Sequence, residues 1–223
     1  FRQFRKLISM EEVRWYFIIV FGAAGILMVD LVHRFGNFFT ALRHALFQVA
    51  AVITTTGYST ADFDKWSQTS RFVLVMLMFV GACAGSTGGG IKVSRFMIAI
   101  KTVGKELESY LHPKSVRKIK MDGKPVEHEV VRSVNVYFIT FLIIFISSVF
   151  ILSFEGKDAE SNFTAVASAL NNIGPGLGIV GPMGNFGSYG DLSKLVMIFD
   201  MLAGRLELFP LLILFRPAVW KRH

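Results

Sequence analysis

Ile53-Thr54-Thr55-Thr56-Gly57-Tyr58-Ser59 and Leu170-Asn171-Asn172-Ile173-Gly174-Pro175-Gly176 are the two stretches on which the reading of the fold turns. Each closes a short apolar run, residues 38–53 in one case and 163–170 in the other. Both runs fall short of the ~20 residues needed to cross hydrocarbon, and both lead straight into a polar turn. They read as re-entrant half-helices. Backbone carbonyls that leave a helix at membrane depth are tolerated only where protein buries them or water and ions meet them. A glycine permits the positive φ that turns carbonyls towards a common axis, and carbonyl rings can replace the hydration shell of a potassium ion. The half-helix adds its negative C-terminal end, which favours a cation. Gly57 and Gly174 are therefore candidate filter glycines, with Thr55, Thr56 and Tyr58 around one and Asn172, Ile173 and Pro175 around the other. Either string alone fits an ordinary interhelical turn as well; two at equivalent places favour a filter.

The surrounding sequence supplies the membrane. Of 223 residues, 52% are hydrophobic, more than a soluble domain of this size needs to fill its core. Segments 13–32, 72–100, 134–154 and 192–215 are long and apolar enough to be transmembrane helices. The net charge of +8 lies in the gaps between them, which argues for membrane topology and against nucleic-acid binding. Lys101, Lys105, Lys114, Arg117, Lys118, Lys120, Lys124 and Arg132 crowd one loop, and Arg2, Arg5, Lys6, Arg216, Lys221 and Arg222 mark the ends. By the positive-inside rule these regions are cytoplasmic, and the loop suits a regulatory subunit and anionic lipid together. Asp62, Asp64, Glu155, Asp158, Glu160 and Asp191 then face outside. Trp15 and Trp220 are expected at inner helix ends and Trp66 near an outer one, at headgroup level.

The fold class that follows is an all-α integral membrane protein built from a pattern used twice: spanning helix, re-entrant helix, polar turn, spanning helix. The repeat is about 110 residues. Its expected divisions are residues 1–110, a basic loop over 111–133, and residues 134–223. The chain opens Phe1-Arg2-Gln3 without an initiator Met or a cleavable leader, so it reads as a fragment. Cys83 is the single cysteine, which excludes an internal disulfide or cysteine metal site, and the five histidines show no ligand spacing.

Gly81-Ala82-Cys83-Ala84-Gly85-Ser86-Thr87-Gly88-Gly89-Gly90 interrupts the second apolar segment. Three consecutive glycines cost roughly 3 kcal/mol of helix propensity relative to alanine, so this helix is expected to break in mid-membrane. The glycine density favours a hinge or movable plug over the spaced small residues of a tight helix crossing. Among the charges in apolar spans, Asp30 sits near a helix end, and Lys92 and Arg95 are expected to snorkel. Arg205 lies deep, about 20 Å into its helix. Its partners are either Asp200 or Glu207, or the freed carbonyls around Gly88, Gly89 and Gly90; the two are compatible. Gly176-x-Gly178-x-x-Gly181 spells a dinucleotide fingerprint but follows a helix, and the loop before Lys92 lacks the adjacent Gly-Lys of a phosphate loop. No nucleophile with a base points to an enzyme.

The strings at 53–59, 81–92, 171–178 and Gly204-Arg205-Leu206-Glu207 resemble the bacterial TrkH-type potassium transporters of the Trk, Ktr and plant HKT superfamily. That superfamily joins four helix-pore-helix repeats, of the kind potassium channels use, around one pseudo-fourfold pore. The chain is similar to the third and fourth. The resemblance implies potassium uptake across the bacterial cytoplasmic membrane, with the ion bound at Thr56, Gly57, Ile173 and Gly174. It implies that Gly85, Ser86, Thr87, Gly88, Gly89, Gly90 and Lys92 form a gating loop faced by Arg205. The implied partners are the first two repeats, a second subunit in a homodimer, and a cytosolic nucleotide-binding regulatory subunit of the TrkA kind. No organic cofactor is implied. A non-conducting membrane subunit or scaffold with the same fold is the competing function.

Overall fold

In the computed structural model, residues 9–112, 118–206 and 208–214 are described, apart from the side chains of Leu211 and Leu214. Arg2, Arg5, Lys6, Lys114, Arg117, Arg216, Lys221, Arg222, Trp220 and Glu207 lie outside them. The chain is helical, with helices α1 (Glu11–Phe35), α2 (Phe38–Ile53), α3 (Gln68–Phe79) and α4 (Val93–Leu111) in the first half. A two-stranded antiparallel hairpin follows, β1 (Lys120–Met121) and β2 (Lys124–Pro125). The second half holds α5 (His128–Ser153), α6 (Ala159–Asn171), α7 (Asp191–Arg205) and α8 (Leu208–Leu214). The halves run in parallel order, α1-α2-turn-α3/α4 and α5-α6-turn-α7/α8.

α1 and α5 have the length and hydropathy to cross a membrane. Fewer than a third of the residues in their most apolar windows are buried within the protein, 22% and 28%. The remainder present Phe17, Ile18, Phe21 and Val29 on α1, and Ile139, Ile143, Ile146 and Phe150 on α5, outward. Apolar faces of that extent suit lipid. α2 returns against α1 after a sharp reversal. Gly36 closes α1 at φ +63, and the Asn37 carboxamide caps α2 by accepting the Phe39 N–H at 3.0 Å.

The other two apolar segments are broken helices. α3 stops at Phe79, and residues 80–92 form the glycine loop before α4 resumes. α4 then continues to Leu111, beyond the expected end at residue 100, and carries Lys101 and Lys105 on a helix rather than in a loop. The hairpin within the basic region was not anticipated either: Asp122 and Gly123 both adopt positive φ, which two-residue turns require. Segment 192–215 was expected to be one helix but divides at Leu206. Pro210 lacks the N–H that would bond back to Leu206, and proline is tolerated in the first turn of a new helix, where α8 puts it. α6 begins four residues earlier than residue 163 because Asp158 caps it, accepting the Ser161 N–H at 2.8 Å.

Packing joins the halves into one core. Phe79 of α3 meets Phe145 of α5 at 5.4 Å between centroids and Phe163 of α6 at 6.1 Å. Arg71 of α3 pairs with Asp64 at 3.4 Å and with Glu160 of α6 at 2.6 Å, and Asp64 also accepts the Gly178 N–H at 3.0 Å. Trp66 is 5% exposed and packs edge-on against Phe63 just before α3.

Candidate functional site

The C-termini of α2 and α6 point their turns at one another. After α2 the chain takes Thr55 to φ +54 and Gly57 to φ +77; after α6 it takes Asn172 to φ +57 and Gly174 to φ +114. Thr56 and Gly57 N–H groups both return to the Ala51 carbonyl, at 2.9 and 3.2 Å, and the Ile173 N–H returns to Ser168 at 2.9 Å. Donors are thus consumed inward. No described backbone N–H is bonded to the carbonyls of Thr55, Thr56, Gly57, Asn172, Ile173 or Gly174. These oxygens, at the negative ends of two half-helices, are available to a cation.

The two turns touch. A Cβ on Gly57 would lie 2.0 Å from the Ile173 carbonyl oxygen and 3.2 Å from Pro175 Cδ, so only glycine fits. Tyr58 is exposed at the far end of its turn, and Ile173 is buried.

The glycine loop lies against the helix-proximal base of both turns. Gly89 donates its N–H to Thr55 Oγ1 at 3.1 Å, and a Cβ there would meet the Asn171 carbonyl oxygen at 2.2 Å. One loop residue therefore contacts the first turn and the second. Val80 and Ile91 form a short parallel bridge that closes the loop's neck. Lys92 does not snorkel away. Its ammonium turns back into the loop to the Ser86 carbonyl at 2.9 Å, Ser86 Oγ at 3.1 Å and the Gly88 carbonyl at 2.6 Å. Gly85 makes the outer bend at φ +84. Arg205 donates from Nη1 to the Thr87 carbonyl, which realises the loop-carbonyl alternative. Asp200 is fully buried and accepts from Ser148 at 2.9 Å. A cavity of about 240 Å³ lies beside the loop, lined by Ser86, Thr87, Lys92, Arg95, Tyr137 and Arg205 among others. Arg95 stacks over the Tyr137 ring at 4.0 Å.

Glu12 is the functional-site neighbour that sequence reasoning missed. It is 8% exposed, and Oε1 accepts the N–H of Ala84 at 2.6 Å and of Ser94 at 3.2 Å. One carboxylate thus holds both arms of the glycine loop. Its partners lie 72 and 82 residues away, and nothing local distinguishes it from a first-turn acid complementing a helix dipole. Asn172 likewise reaches α7, donating from Nδ2 to the Met201 carbonyl at 3.1 Å. Gly204 admits that approach: a Cβ there would lie 1.9 Å from the Leu170 carbonyl oxygen.

Residues 3–222 match the TrkH family model, described as a cation transport protein. The Trk system potassium uptake protein TrkH of Vibrio parahaemolyticus is 40% identical over 85% of this chain and 39% of its own length. The protein of that name from Salmonella typhimurium is 38% identical over 82% of the chain and 37% of its own. The crystal structure of the potassium transporter TrkH from Vibrio parahaemolyticus superposes with a TM-score of 0.88 at 36% identity, covering 96% of this chain and 46% of that one. The chain therefore spans less than half the length of these relatives. With a family model over nearly every residue and a matching, predominantly helical fold, this chain belongs to the TrkH family of cation transporters, which are not enzymes.

Proposed function

We propose that the chain forms half of a potassium-conducting pore, the third and fourth of four repeats, in a potassium uptake system of the bacterial inner membrane. The observation that carries this reading is the pair of touching turns whose carbonyls face away from their own donors at two half-helix C-termini. Relatives named as potassium uptake proteins supply the ion. Potassium is the cargo, held in passing by carbonyls of Thr56, Gly57, Ile173 and Gly174 in place of water. Thr55, Tyr58, Asn172 and Pro175 shape the turns. The first two repeats complete the ring, and the chain's divisions at 1–110, 111–133 and 134–223 separate two pore units from a cytoplasmic loop.

The glycine loop is the gate. Gly85 through Gly90 lie below both turns, with Lys92 and Arg205 holding loop carbonyls and placing positive charge on the cation's path. Because Gly89 donates to Thr55, moving the loop also changes the first turn. The basic ends and basic loop face the cytoplasm, where a nucleotide-binding regulatory subunit biases the loop of each pore in a homodimer.

The test is potassium uptake by the full-length transporter, with its regulatory subunit, in a strain lacking its own uptake systems. Wild type is expected to rescue growth at low potassium. Gly174→Ser lowers potassium-over-sodium selectivity, and Arg205→Ala raises cation flux. Normal expression with no rescue by wild type would favour a non-conducting scaffold.

A further inference from the structure

At the end of the apolar layer where α4 runs out and α5 begins, these helices and the β1-β2 hairpin enclose an open groove of about 640 Å³. One wall is a single stripe of α5: His128, Arg132, Asn135, Val136 and Ile139 recur at helical spacing and share a face. The stripe changes character along its length. It begins with His128 and Arg132, passes Asn135, and ends on Val136 and Ile139, which are exposed among the outward apolar residues of the spanning helix. From His128 to Ile139 the rise is about 16 Å, enough to run from headgroup level into the acyl region. Facing the basic end are Lys105 of α4 and Lys118 at the hairpin's base.

The bases there are uncommitted. Among the described residues Lys105, Lys118, His128 and Arg132 have neither an ion pair nor a hydrogen bond, whereas neighbouring Lys101 is engaged by Glu11 and the Lys120 carbonyl. Glu106 and Glu127 also line the groove, so the excess of positive charge is modest and confined to its polar end. A cluster of bases that grades into an exposed apolar track along one helix matches a ligand with a phosphate at one end and a hydrocarbon chain at the other.

We propose that this groove binds an anionic phospholipid, its phosphate among Lys105, Lys118 and Arg132 and an acyl chain along Val136 and Ile139. The site stands apart from the filter and the gating loop, and its failure would leave the pore reading untouched. The bound lipid fastens α4, which continues the gating loop, to α5 of the next repeat.

The experiment titrates the purified full-length transporter with phosphatidylglycerol or phosphatidylcholine and counts bound lipid by native mass spectrometry. Wild type is expected to retain phosphatidylglycerol in preference to phosphatidylcholine. Each base near an anionic headgroup contributes about a fivefold change in affinity, so Lys105→Gln/Lys118→Gln/Arg132→Gln is expected to weaken binding on the order of a hundredfold. Ile139→Asn weakens it through the chain, and Lys157→Gln, in the turn before α6, leaves it unchanged. Equal affinity of wild type for the two lipids overturns the proposal without reference to any variant's folding. So does a triple variant, normal in thermal melting, that keeps phosphatidylglycerol while losing an acidic cytosolic subunit, or displacement of the lipid by inorganic phosphate alone.

Discussion

The turn after α2 and the turn after α6 follow one backbone path with different chemistry. Positive φ falls at Thr55 and Gly57 in the first and at Asn172 and Gly174 in the second, and the two pairs stand at the same separation in sequence as Glu11 and His128, where α1 and α5 begin. Thr55 is β-branched, so its left-handed conformation costs about 1–2 kcal/mol. It is held by the Gly89 N–H, and thus by the glycine loop. Asn172 suits the same conformation, and its amide is held by α7 at Met201. The strained turn is tied to the loop and the relaxed one to a helix. Equivalent positions of the repeat are therefore held differently, Thr55 by the glycine loop and Asn172 by α7.

The largest test of that difference compares Gly57→Ala with Gly174→Ala. Both pay about 1–2 kcal/mol for positive φ, but only Gly57 would drive a Cβ to 2.0 Å from a backbone oxygen, whereas the nearest atom at Gly174 is 3.9 Å away. Overpacking adds about 1–3 kcal/mol. Gly57→Ala should lose both thermal stability and uptake; Gly174→Ala should fold and transport with poorer selectivity. Equal damage would break the comparison. Next in size is Glu12. Removing a buried carboxylate that accepts two backbone N–H groups should cost about 2–3 kcal/mol and raise cation leak in Glu12→Ala, with Glu12→Gln milder. Its counterpart in the second half, Glu129, is exposed and faces no such loop, so Glu129→Ala should stay within about 0.5 kcal/mol in a melting experiment.

Thr55→Gly sharpens the contrast from the other side. Relief of φ strain, about 1 kcal/mol, offsets loss of the Gly89 hydrogen bond, also about 1 kcal/mol, so stability should hardly move. Flux should rise because the loop is released, and Thr55→Ser, which keeps the hydroxyl, should remain gated. A stability loss without a flux change would show that the bond serves packing alone. The smallest effect separates the caps. Asn37 caps α2 with a neutral amide, and Asp158 caps α6 with a carboxylate. The Ser161 backbone N–H chiefly, and its hydroxyl, hold the Asp158 pKa below its usual 3.8 against a smaller opposing effect of burial. A depressed folded pKa contributes stability that is complete above the unfolded value and is lost as pH falls through the folded one. Protection against hydrogen exchange at the start of α6, taken relative to the intrinsic rate at each pH, should therefore fall below about pH 3.8, and Asp158→Asn should flatten that response, while protection at the start of α2 stays level.

Much of the site was legible because its signals are local. A short apolar run ending in a glycine turn declares a half-helix, and three glycines declare a break, whatever surrounds them. Arg205 was recognisable by depth but not by partner, since the loop carbonyls around Gly88 to Gly90, Asp200 and Glu207 were all within its reach on paper, and the structure supplies the neighbouring Thr87 carbonyl. Glu12, the Arg71 junction with Asp64 and Glu160, and the burial of Trp66 were not legible at all. Each depends on residues brought together from distant elements. The break before α8 had a local cause in Pro210, but the hydropathy of the segment masked it.

Order of the long apolar segments and the two half-helices, membrane class and the positions of both turns were determined by the sequence alone, because hydropathy and glycine conformational freedom act over a few residues. The tertiary structure decided which charged side chain meets the glycine loop, and that the loop touches both turns at once through Gly89. A buried carboxylate such as Glu12 must find a polar partner, and only the packed helices determine which freed backbone groups come within hydrogen-bond reach of Glu12 and Arg205.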